Sequence, residues 1–144
     1  MAIPPPPKRK ERKAAQYVEA LIGRVLADPS LGVQSKRSAR RFAQALVLAA
    51  LFTEGERDLF VRLYEQRASL TDRRREAEIQ ALCEEQGKLH LCDVINHLFS
   101  EDAEGREMLH FIARAIRDDL WQPIAEEIAE RRFRRDHFLW TKTR

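Results

Sequence analysis

The stretch ARRFAQALVLAALF, residues 39–52, decides the fold. From Ala43 to Phe52 only Gln44 is polar, so a helix built from it is apolar on nearly every side and needs neighbours all round. That predicts a central core helix. The run is too short to cross a bilayer, which takes about 20 apolar residues, and no membrane partner is expected.

On the N-terminal side this helix opens at Ser35 to Ser38, and Asp28-Pro29 with Gly32 separates it from an earlier one. That first helix starts between Lys8 and Lys13 and runs to about Ala27. Ala14, Val18, Leu21 and Val25, with Tyr17, Ile22 and Leu26, form its apolar face. Ahead of it, MAIPPPPKRKERK begins with a run of prolines that cannot be helical. Residues 1–13 are therefore expected to form a flexible Pro-rich basic arm, and 14–144 one all-α domain.

On the C-terminal side, Thr53 and Glu56 read as a capping box opening a third helix, with Leu59, Phe60, Leu63 and Tyr64 facing the core. A helix-turn-helix is rejected, because ERDLFVRLYEQR is too apolar to lie in a DNA groove. A fourth helix is expected from Thr71 or Asp72 to Gly87 and a fifth over Leu89 to Phe99. A sixth carries Met108, Leu109, Phe111, Ile112, Ala115, Ile116 and Leu120. Pro123 kinks or restarts it, and the last helix is expected to run through Ile124 and Ile128 into the stretch ending at Trp140.

The expected architecture is thus all-α, a single compact bundle of six or seven helices. Five glycines and the lack of β-branched clusters leave strands nothing to rest on. At 144 residues the chain is long enough to bury a core without disulfides or metal. Cys83 and Cys92 read as reduced thiols of a cytoplasmic protein, since four prolines stand where a secretory h-region would be.

Charge is unevenly spread. Residues 1–41 carry ten Lys/Arg against three acids and residues 131–144 six against one, so with an overall charge of +3 the body between is left at −9. Basic ends on an acidic body either neutralise that body, in this chain or a symmetric neighbour, or meet a polyanion.

The candidate phosphate contacts fall into four groups. Lys8, Arg9, Lys10, Arg12 and Lys13 form the N-terminal run. Lys36, Arg37, Arg40 and Arg41 open the second helix and Arg73, Arg74 and Arg75 the fourth, both where the positive end of the macrodipole disfavours cations unless an anion sits there. At the C-terminus, Arg131, Arg132, Arg134 and Arg135 alternate with Phe133, Phe138 and Trp140, a mixture able to grip phosphates and stack on bases. The same residues suit a docked terminal helix whose arginines snorkel outward.

Enzymatic motifs are lacking: there is no glycine-rich phosphate loop, nucleophile elbow or zincin pair. Cys83, His90, Cys92 and His97 lie within fifteen residues but match no zinc spacing, and Glu107-x-x-His110 lacks the second copy a di-iron bundle requires. No cofactor is expected. The reading is a non-enzymatic nucleic-acid-binding protein, DNA or RNA undecided, with homodimerisation as the default association. The alternative is an interaction module whose basic ends hold an acidic protein or another copy of itself, and the third is a metalloprotein.

Overall fold

The computed structural model describes residues 6, 8–86, 99 and 103–141, and among them there are six α-helices and no strand. They are α1 (Arg9–Ala27), α2 (Lys36–Leu51), α3 (Glu54–Glu65), α4 (Asp72–Gln86), α5 (Ala103–Arg117) and α6 (Trp121–Glu130). Short 3₁₀ turns follow at Pro29–Leu31, Arg135–His137 and Leu139–Thr141. The all-α bundle read from the sequence is the fold.

The central position of α2 follows from its composition. Ala39, Phe42, Ala43, Leu46, Val47 and Ala49 pack into a core shared with α1, α6 and the C-terminal tail. Ala45, Leu48 and Phe52 pack into a second core with α3, α4 and α5. A helix buried on two sides must be apolar on two sides, as residues 43–52 are. Its alanines let neighbouring helices approach closely, and the Phe42 ring meets Phe111 of α5 edge-on at 5.1 Å.

The helix boundaries are set by local chemistry. Ser35 Oγ accepts the Ser38 amide at the start of α2. At the start of α3, Thr53 Oγ1 accepts the Glu56 amide while the Glu56 carboxylate accepts the Thr53 amide, the reciprocal box its sequence predicts. Asp28 ends α1, and its carboxylate accepts from Ser30 in the 3₁₀ turn that Gly32, at φ +69°, then closes. Of the run expected to form an arm, Arg9 to Lys13 is helical.

Both α5 and α6 end in a 6→1 bonded αL turn. Leu120 N–H donates to Ala115 O with Asp119 at φ +53°, and Phe133 N–H donates to Ile128 O with Arg132 at φ +56°. The second of these corrects the sequence reading. The last helix does not continue through residues 131–140 but stops at Glu130, and the tail turns back across α1. After the first turn, Trp121 restarts the chain as α6 with Pro123 in its opening turn, where a missing N–H costs nothing. Apart from Phe99, the helix expected over Leu89 to Phe99 lies outside the described residues. No described helix is long and apolar enough to cross a membrane.

Candidate nucleic-acid interface

The two basic segments of the chain meet. Lys10 Nζ, on the first turn of α1, donates to the Arg131 carbonyl at 2.8 Å, a contact spanning 121 residues of sequence. Lys10 and Arg131, with Lys13, Gln16 and Ala20, line an open groove of about 460 Å³ whose remaining walls are Tyr17 and Phe133. The same two cations stand over those rings: Lys10 Nζ is 5.5 Å from the Phe133 centroid, and the Arg131 guanidinium is 5.0 Å from that of Tyr17.

Below the groove a polar network anchors α1 to α6. Tyr17 Oη donates to Glu127 Oε1 at 3.0 Å, and Arg24 holds the same carboxylate through both terminal nitrogens, at 2.6 and 3.2 Å. The Arg24 hydrogen bonds hold the Glu127 carboxyl below its usual range. Burial, reinforced by the Glu127 hydrogen bond, pushes the Tyr17 hydroxyl well above its ordinary value, so it stays a neutral donor. Among the charged groups this satisfies Glu127 internally and leaves the groove lining basic.

The other candidates are placed differently. Lys8, Arg9, Arg12 and Lys13 are exposed at the α1 start. Lys36 and Arg37 are exposed on the first turn of α2, but Arg40 pairs with Glu19 at 3.0 Å and Arg41 with Glu107 at 2.6 Å. With Ser35 Oγ committed to the Ser38 amide, two of the four cations of this helix start are held by acids of neighbouring helices, Glu19 of α1 and Glu107 of α5. At the α4 start Arg73 is exposed, Arg74 lies 3.9 Å from Glu78, and Arg75 is buried at 6% exposure against Asp72 and the Phe99 ring, which removes it from the surface.

Within the tail, Arg132 is exposed, Arg134 pairs with Asp136 at 3.5 Å, and Arg135 is half-buried, its carbonyl accepting from Thr141 Oγ1. Phe133 and Phe138 are buried in the first core. Trp140 stands apart from the groove: it lines a smaller cleft of about 150 Å³ with Glu11, Ala15, Val18, Glu19, Arg40 and Leu139, on the opposite flank of α1. Phe133 and Phe138 therefore cap the core, Trp140 stays exposed, and Arg131, Arg132 and Arg134 reach outward.

Cys83 is half-buried on α4, whereas His90, Cys92 and His97 lie outside the described residues. Glu107 faces Arg41 while His110 Nδ1 is 2.7 Å from Tyr64 Oη, so the two residues of the Glu-x-x-His spacing serve different neighbours. No cluster of three His, Cys, Asp or Glu suited to a metal occurs among the described residues.

Sequence reasoning missed Gln16 and Tyr17 as groove residues. Tyr17 sits on the apolar stripe of α1 and its hydroxyl gives no periodic signal; only the fold brings Arg131 over it. Comparison with protein-family models, curated proteins and solved structures finds no match to this chain.

Proposed function

We propose that this protein is a non-enzymatic nucleic-acid-binding protein that holds phosphates in the groove between the start of α1 and the C-terminal tail. The observation that carries the reading is the meeting of the two basic ends at Lys10 and Arg131, with Lys13 completing a concave basic wall. Phosphate binding is dominated by such contacts, each releasing a counterion. The acidic body works with this arrangement, because its repulsion of a polyanion elsewhere directs the ligand to the basic end.

Fluorescence anisotropy with short labelled oligonucleotides across a salt series tests it. Binding should weaken steeply with salt, and Lys13→Glu combined with Arg131→Glu should abolish it. The milder pair Lys13→Gln and Arg131→Gln should lower the slope of log K against log salt by about 1.4 to 1.8, two phosphate contacts' worth. Charge reversal at Arg73 and Arg74, on α4, should change little. Lack of binding at low salt would refute the reading.

A second reading rests on Leu139 and Trp140, which are 47% and 38% exposed side by side. Such a pair suits the centre of a protein interface, with an acidic protein or a second copy of this chain as partner. Association lost on Leu139→Ser with Trp140→Ser, and indifferent to Lys13→Glu, would favour it.

A further inference from the structure

We propose that a second copy of this chain docks on the flank of α1 that carries Leu26, its own α1 running antiparallel, so that Leu26 of each copy enters the cleft lined by Leu139 and Trp140 of the other. This rests on the interface reading of Leu139 and Trp140 above and names the partner.

Three large apolar side chains are exposed among the described residues: Leu26 at 40%, Leu139 at 47% and Trp140 at 38%. They share one side of α1. Ala15 and Glu19 line the cleft that holds Leu139 and Trp140. Leu26 stands seven residues after Glu19 and eleven after Ala15, which places it within about 20° of both around the helix. Along the helix it lies about 10 Å beyond Glu19, so it does not fill the cleft of its own chain. A two-fold axis crossing α1 between Ala20 and Leu21 brings Leu26 of one copy level with Ala15 of the other, at the mouth of that cleft. The cleft measures about 150 Å³, and an apolar site of that size holds a benzene-sized group.

Gly23 is exposed on the same outward side of α1, about 40° from Glu19. A Cβ added there meets nothing within 4 Å, so nothing in its own chain calls for glycine inside a helix that glycine weakens. Across the axis Gly23 stands level with Val18 of the second copy, where the missing side chain lets two helix backbones approach. The rim is self-complementary in charge. Glu19 and Arg40 pair at 3.0 Å and are each about half exposed, and an isologous interface needs both signs on one patch. Lys10, Lys13 and Arg131 lie on the opposite flank of α1, so the pairing leaves both basic grooves open.

Sedimentation equilibrium of the full chain over a concentration series tests the pairing. The expected result is a dimer that weakens roughly tenfold or more in Leu26→Ser, and by a similar factor in Gly23→Gln, because added bulk clashes at a close contact. At a dilution where the unmodified chain is also monomeric, Gly23→Gln should raise the melting temperature, since it favours the helix and meets no atom of its own chain. Association lost in that variant is therefore not lost folding. Lys13→Glu combined with Arg131→Glu should leave the dimer intact. A chain still monomeric at about 1 mM would overturn the inference and leave Leu139 and Trp140 to a different protein partner. A dimer broken by Leu139→Ser with Trp140→Ser, yet indifferent to Leu26→Ser and Gly23→Gln, would overturn the α1 pairing and leave the interface reading standing. Indifference to all of these changes would remove both.

Discussion

Arg57 shows what a single side chain of this protein holds in place. Its guanidinium lies 3.6 Å from the Trp121 ring centroid and donates to the carbonyls of Ala49 and Phe52, at 3.2 and 2.6 Å. These are carbonyls at the negative end of α2, so the cation meets both the hydrogen-bond vacancies and the macrodipole there. Burial lowers its pKa from the ordinary arginine value, and the neighbouring Glu54, Asp58 and Glu56 oppose that. Arg57→Ala should destabilise by about 2 kcal/mol in denaturant unfolding, because it strands partly buried carbonyls as well as removing a ring contact. Glu127 gives a pH prediction. Its folded-state pKa lies below the ordinary 4.5, so its contribution to stability is fully present above that value and is lost as pH falls through the lower folded value. Glu127→Gln should therefore flatten the acid limb of the stability profile, and Tyr17→Phe should cost about 1–2 kcal/mol at neutral pH through the lost bond to the carboxylate.

The helices differ in how plainly the sequence marks their ends. Ser35, Thr53 with Glu56, and Asp28-Pro29 act through bonds within three residues of themselves, and such local chemistry is legible in one dimension. The end of α6 is not. Its αL position is held by Arg132 rather than glycine, and the bond that fixes the turn, Phe133 N–H to Ile128 O, depends on Phe133 and Ile128 both entering the core. Periodicity alone carries the helix on through Phe138, so the sequence by itself predicts a helical tail. An arginine at φ +56° bears a steric cost that glycine would not. Arg132→Gly should then stabilise the fold by roughly 0.5–1 kcal/mol, part of the relief being offset by greater freedom of the unfolded chain. A rise in melting temperature of a few degrees would show it, whereas destabilisation would mean that the Arg132 side chain contributes more than its backbone costs. The groove was hidden for a related reason. Lys10 and Arg131 are both legible as basic residues, but their contact depends on where the tail turns.

At the scale of the molecule, ions are used in two ways that salt separates. Arg24–Glu127, Arg40–Glu19 and Arg117–Glu65 tie helices together across the surface, each with at least one partner substantially exposed, and the half-buried Arg41–Glu107 pair joins α2 to α5. Exposed pairs of this kind contribute little in water, and the fold rests instead on the two apolar cores that meet at α2. Lys10, Lys13 and Arg131, by contrast, converge on one open groove where they would displace a counterion from each phosphate of a polyanion they touch. Raising salt from about 50 to 200 mM should accordingly weaken nucleic-acid binding about twenty- to fortyfold for three contacts. Over the same range the melting temperature should move by only a few degrees, since salt screens the exposed pairs and leaves the apolar cores untouched. If melting temperature and binding fell together, the groove would be losing its ligand through loosening of the tail against α1, and the surface pairs would have to be holding the site in shape. If binding fell alone, the basic ends would be free to serve the ligand because the apolar cores already hold the fold.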